Sequence, residues 1–153
     1  MRNTRLNPAD GKRQKAKRGP VSGRELEHEV WHALKCLDDI YELECSRLTH
    51  IKTVQVLAES RYGQSAFAKG EVIAETLASC ITRLSGKAGI AGQFPRVAYL
   101  IAGVARGSTL SQVSRQLQLT REHVTRKYRP KAMKILAKEF VTELEQQAIA
   151  LFS

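Results

Sequence analysis

Residues 108–129, STLSQVSRQLQLTREHVTRKYR, limit what this chain can fold into more than any other stretch. Thr109-Leu-Ser-Gln112 has the form of a capping box, in which the threonine hydroxyl and the glutamine amide each satisfy a free amide at a helix start. Val113, Leu117, Leu119 and Val124 are spaced to lock two short helices together, and Ser114 is small where the two cross closest. Thr120 is placed to cap the second helix, TREHVTRKYR. With Val124 and Tyr128 turned inward, Arg121, Glu122, Thr125, Arg126 and Arg129 face outward. The pattern predicts two short helices joined by a tight turn, the second rich in arginine and lysine, which is the arrangement of a helix-turn-helix.

The remainder is read as helical too, which makes the fold class all-α. Residues 1–21 are polar, basic and broken by Pro8, Gly11, Gly19 and Pro20, so they are expected to stay disordered when free. From Ser22 the periodicity turns helical. Leu26, Val30, Ala33, Leu37, Ile40 and Leu48 recur at three- and four-residue steps. Neither glycine nor proline occurs between Arg24 and Tyr62, which leaves one very long helix or two, with a break near residues 46–50. Tyr62-Gly63 marks a stop. Residues 65–84 carry Phe67, Gly70, Ala74, Leu77, Ile81 and Leu84 on one face, and Gly70 there implies close approach of another helix. Residues 22–84 are therefore expected to form a helical oligomerisation or sensing module, either a bundle or a dimerisation surface. Residues 85–93 (SGKAGIAGQ) read as a linker; their GK lacks the spacing of a phosphate loop. Residues 94–153 are expected to hold a helix opened by Pro95 and ended by Gly107, then the helix-turn-helix. After them comes a long C-terminal helix that Pro130 separates from the helix before it. Met133, Leu136, Phe140, Leu144, Ala148 and Leu151 line its apolar face, which needs the N-terminal helices or a second subunit to cover it.

Charge points to the partner. The chain carries a formal net charge of +10. Residues 1–20 hold seven basic side chains and one acid, and residues 94–130 again hold seven and one, whereas residues 22–62 hold five basic and eight acidic. A charge kept only for solubility would not be partitioned into two blocks. A polyanion is the simplest partner, since neutralising phosphates releases counterions. Double-stranded DNA, read by a homodimer, is expected to be contacted by Thr120, Arg121, Glu122, Thr125, Arg126, Lys127 and Arg129. Arg115 on the preceding helix, and Lys12, Arg13, Lys15, Lys17 and Arg18 of the basic arm, are expected to add phosphate contacts. No apolar run approaches the ~18–20 residues of a membrane span. The first residues lack the apolar core of a secretory signal. Cys36, Cys45 and Cys80, an odd and widely spaced set, read as reduced thiols. The location expected is the cytoplasm of a prokaryote, near the nucleoid.

Residues 94–140, and in particular TLSQVSRQLQLTREHVTRKYRPKAMKIL, resemble region 4 of bacterial sigma factors and the related LuxR-type DNA-binding domain. The resemblance implies a four-helix unit whose third helix enters the major groove, a role in regulating transcription, and contact with RNA polymerase as an alternative function. The chain departs from that pattern in three places. Gln118 stands where the family usually has glycine, the spacing from Val124 to Ala132 is one residue longer, and Pro130 falls where those proteins run helically.

One motif points elsewhere. His28-Glu29-Val-Trp-His32 spells HExxH, in which two histidines bind zinc and the glutamate acts as general base in metalloproteases. Against the Leu26–Val30–Leu37 stripe both histidines fall on the solvated face, and neither a strand nor a third-ligand motif accompanies them. The chain is accordingly read as a non-enzyme without a cofactor, and exposed histidines beside a thiol are preferred to a metal site. A zinc metalloenzyme using His28, Glu29 and His32 is the remote alternative, and a surface metal face of His28, His32 and Cys36 is another.

Overall fold

Apolar residues at three- and four-residue spacing produce helix after helix, with no strand among the described residues. The computed structural model describes residues 23–89, 92 and 94–153. The basic arm, including Lys12, Arg13, Lys15, Lys17 and Arg18, lies outside the described residues, as does part of the 85–93 segment. The order is α1 (Gly23–Lys35), α2 (Ile40–Glu44), a 3-10 turn (Arg47–His50), α3 (Lys52–Tyr62), α4 (Ala68–Gly86), α5 (Phe94–Ala105), α6 (Leu110–Leu117), α7 (Arg121–His123), a π-helical turn (Val124–Tyr128) and α8 (Arg129–Leu151).

The glycine- and proline-free stretch from residue 24 to 62 breaks more often than one or two helices would. Alongside the expected break at 46–50 there is a second at residues 36–39. Asp39 creates it: its side chain accepts a hydrogen bond from the Glu42 amide (3.2 Å) and caps α2, a local bond that competes with continuing the helix. Ser46 does the same for the 3-10 turn, accepting from the Leu48 amide at 3.0 Å. Glu29 reaches that turn from α1, its Oε1 accepting from Ser46 Oγ and from the Arg47 amide at 3.4 Å each. α3 ends at Tyr62, and Gly63 follows with φ +59. Phe67 is not on the buried stripe of the next helix; it precedes α4 and is 40% exposed. Gly70 does permit a close approach: a Cβ there would lie 3.0 Å from the Ile40 carbonyl oxygen of α2, and the Glu44 carboxylate accepts from the Gly70 amide at 2.6 Å.

The C-terminal helix is the spine of the molecule. α8 packs against α1, α3, α4 and α5, so the helices before and after the 85–93 segment share one core. Leu136 and Phe140 are fully buried there with Leu34, Leu57, Leu77, Leu100 and Ile101. The expected face of Met133, Leu136, Phe140 and Leu144 is thus covered by the chain's own N-terminal helices, whereas Leu151 at its end is 37% exposed. Arg83 of α4 clips the two regions together, donating to Glu139 (3.1 Å) and to Glu143 of α8. Gln147 adds a bond to the buried Thr76 hydroxyl at 3.0 Å.

Pro130 does not divide two helices. Residues 121–151 run as one continuous helix, and the π turn just before the proline is the reason. The Arg129 amide donates to the Val124 carbonyl, five residues back instead of four. A proline inside an α-helix lacks its own donor and crowds the carbonyl four residues earlier; a widened turn relieves that crowding and absorbs one additional residue. Val124 and Tyr128 before the proline, and Ala132 and Leu136 after it, all remain turned into the core with 0% exposure.

Candidate nucleic-acid interface

Local hydrogen bonds build α6, the turn and α7. Thr109 Oγ1 accepts from the Gln112 amide (3.1 Å) while Gln112 Oε1 accepts from the Thr109 amide (2.8 Å), so both halves of the capping box form. α6 ends at Leu117, and Gln118 takes the left-handed conformation at φ 60, ψ 39. The Leu119 amide then reaches back to the Ser114 carbonyl at 2.9 Å and the Gln118 amide to that of Arg115 at 3.1 Å. This is the bond pattern with which a left-handed residue closes a helix end. Thr120 Oγ1 accepts from the His123 amide at 3.1 Å and starts the next helix.

Packing sets the angle between these elements. Ser114 is buried and its hydroxyl is satisfied by the Ser111 carbonyl at 2.9 Å. A close crossing lies one element earlier: a Cβ at Gly103 of α5 would lie 2.8 Å from Val113 Cγ2. Behind the second helix sits Tyr128, fully buried, its hydroxyl accepting from Arg96 Nη1 at 2.9 Å. The Arg96 guanidinium and the Lys127 ammonium lie 5.9 and 5.8 Å from its ring centroid, and the His123 ring meets it edge-on at 5.5 Å.

With Val124 and Tyr128 inward, Arg121, Glu122, Arg126 and Lys127 are exposed, as is the capping Thr120, and Thr125 is half-buried. Glu122 and Arg126 form an ion pair at 3.0 Å, with side chains 70% and 79% exposed. Such a surface pair contributes at most about 1 kcal/mol and gives way readily to a stronger anion. Arg115 is exposed on α6, next to Ser108, Gln112 and Gln116 around a shallow depression. Arg129 differs from the outward position expected of it: it is half-buried, its Nε has no hydrogen-bond partner, and it lines a recess with Trp31 and Lys35 of α1.

Other side chains accompany this surface that the motif alone did not single out. His123 is exposed in the first turn of the second helix; the inward positions of Val124 and Tyr128 were a signal for it. Arg24 and His28 of α1 line one groove with Arg129, Lys131 and Lys134 of α8. No sequence signal links these, because they lie far apart in the chain. The first turn of α1, from which the basic arm extends, therefore stands beside the exit of the second helix.

The alternative motif comes apart in three dimensions. His28 and His32 are both exposed, but Glu29 is engaged with Ser46 and Arg47. Among the described residues, the group close enough to share a cation is His32, Cys36 and Glu42. Burial, then the charges of Glu42 and Asp39, raise the Cys36 thiol above its ordinary value, against a lowering by Lys35.

No helix among the described residues is long and apolar enough to cross a membrane. No protein-family model matches the chain, and neither a curated protein nor a solved structure matches it significantly.

Proposed function

We propose that this chain is a sequence-specific, double-stranded DNA-binding regulator of transcription, acting as a homodimer, with α6 and the helix begun by α7 working as a helix-turn-helix. The supporting observation is the surface at residues 120–127. A rigidly capped helix start presents Arg121, Arg126 and Lys127 outward, while Val124 and Tyr128 anchor it from behind. The first turn of such a helix meets base edges in the major groove, and bidentate arginine on guanine is the commonest specific contact. Arg115 and the groove of Arg24, Lys131 and Lys134 extend the positive surface to either side, where phosphates pass.

Selection of bound duplexes from a random pool tests this reading. Enrichment of a two-fold-related sequence is expected, with half-sites about one helical turn apart. Arg121→Ala and Arg126→Ala should each weaken binding to the selected site by roughly 1–3 kcal/mol. Binding should lose affinity with salt at a slope near −0.9 per phosphate neutralised, and removing residues 1–20 should flatten that slope. A pool that enriches nothing, or arginine variants that bind as the parent does, would overturn the reading and favour docking on RNA polymerase.

A further inference from the structure

The corner between α1 and α2 brings together three side chains of different ligand chemistry. His32 and Cys36 stand one helical turn apart, and Cys36 Sγ lies 3.6 Å from His32 Nε2. From the far side of the corner, Glu42 of α2 places Oε2 3.8 Å from the same nitrogen. The three donor atoms all lie within 4.8 Å of one another. A tetrahedral zinc ion, with bonds of about 2.3 Å to sulfur and about 2.05 Å to nitrogen, holds those two ligands about 3.5 Å apart. The sulfur–nitrogen separation therefore already suits a bound ion, and the carboxylate, on an exposed and rotatable side chain, has only to swing inward slightly.

The backbone that carries these ligands is held independently of any ion. The Cys36 amide donates to the His32 and Ala33 carbonyls at 3.1 Å, and the Asp39 amide donates to the Cys36 carbonyl at 2.8 Å. Asp39 in turn caps the turn that contains Glu42. α2 is fixed against α4 through the Glu44–Gly70 bond and the close Ile40–Gly70 contact. A frame held in this way keeps the ordering cost of collecting ligands from two elements low. Imidazole, thiolate and carboxylate together suit zinc and its analogue cobalt(II), and poorly suit magnesium or calcium, which take oxygen ligands.

We propose that His32, Cys36 and Glu42 form a zinc-class metal site at the α1–α2 corner, with water as the fourth ligand. As the metal–sulfur bond forms, the Cys36 thiol releases its proton to solvent. Of the HExxH motif along α1 the site uses His32 alone: Glu29 is engaged at the 3-10 turn, and His28 lines the groove with Arg129 and Lys134. The ion would instead join two helices across a corner, fixing the angle at which α2 leaves α1.

The test uses the full chain without an affinity tag, reduced and stripped of metal, and titrated with cobalt(II) and then zinc. One cobalt per chain should bind with a thiolate-to-cobalt charge-transfer absorption and the visible bands of tetrahedral cobalt, and zinc should bleach both. Cys36→Ser should remove the charge-transfer absorption, and Glu42→Gln should weaken cobalt binding about tenfold or more. His28→Ala and Cys45→Ser should leave it unchanged. All four positions are exposed or half-buried, so each variant should keep its helix content, which circular dichroism checks. A folded parent chain that shows no thiolate–cobalt absorption would mean that the thiol and imidazole are a hydrogen-bonded pair only. That result would overturn the proposal, as would a loss on His28→Ala equal to that on Glu42→Gln.

Discussion

Gln118 shows at the residue scale how a local conflict is held. A non-glycine residue at φ 60 carries a steric cost of about 1 kcal/mol or more, yet the helix end needs that conformation to satisfy its last carbonyls. A β-branched side chain would be worse there. Gln118→Val is expected to destabilise the fold by roughly 1–2 kcal/mol in urea unfolding while Gln118→Gly does not destabilise it; equal losses for both would show that the side chain, and not the backbone angle, matters. The thiols give a second residue-scale prediction. Burial, reinforced by Glu143 and Glu139, pushes the Cys80 thiol up to about 12 from 9.0. In native protein at pH 8 a thiol reagent should modify exposed Cys45 fastest, Cys36 more slowly, and Cys80 only on unfolding. A folded-state pKa above the ordinary one means the unfolded chain loses its proton first. The stability Cys80 contributes is thus complete below pH 9.0 and lost as pH rises toward about 12. Tyr62, held up to about 12 chiefly by its hydrogen bond to Glu75, adds to that loss above pH 10.0. Urea midpoints measured from pH 8 to 11 should fall across this window, and fall less steeply in the Cys80→Ala, Tyr62→Phe double variant.

Helix elements here are positioned by single tight contacts. Gly103 lets α6 approach α5 so closely that a methyl group at that position would collide with Val113, which is itself buried. Gly103→Ala should cost roughly 1–3 kcal/mol, as overpacking does, and Val113→Ala should recover part of that loss in a double-mutant cycle. Strict additivity of the two would mean that the contact does not set the spacing. The π turn is the other device at this scale. It lets one helix carry both the outward surface at residues 120–127 and the spine at 129–151, so the angle between them is rigid instead of hinged at Pro130. A break at the proline would have left the outward helix anchored by Val124 and Tyr128 alone.

For the whole molecule, the spine decides how the parts depend on one another. α8 is packed by helices from before and after residues 85–93, and the Arg83–Glu139–Glu143 cluster crosses between them. Unfolding is therefore expected to be a single cooperative transition, with Phe140→Ala lowering stability by about 3–5 kcal/mol for all signals together. Residues 94–153 alone would expose Leu136, Phe140 and Leu144 where α1, α3 and α4 cover them, and should not fold cooperatively. A cooperative melt of that fragment at its own temperature would show that the shared core is dispensable. The same shared core brings the start of α1, at Arg24 and His28, beside Arg129 and Lys134.

The all-α class, the stop at Tyr62-Gly63, the Thr109–Gln112 box, the Thr120 cap and the inward set of Val113, Val124 and Tyr128 were legible in the residues alone. Each rests on interactions three or four positions apart, which the order of residues encodes directly. Even the departures at Gln118 and Pro130 were visible as positions, though not how the backbone would resolve them. Two junctions differ from what the order of residues suggests. The break at residues 36–39 was hidden because Asp39 looks as suited to an exposed helix face as to a cap, and only the packing of α2 on Gly70 favours the cap. The break at Pro130 was expected because proline ends most helices, whereas burial of Tyr128 on one side and Ala132 and Leu136 on the other keeps this one continuous through a widened turn. What only the tertiary structure decided are the neighbours brought together across corners and between distant helices: Glu42 with His32 and Cys36, Arg24 with Lys134, and Arg83 with Glu143. Those pairings depend on the direction in which each helix leaves its turn, a quantity that burial of the whole core sets and that no local spacing records.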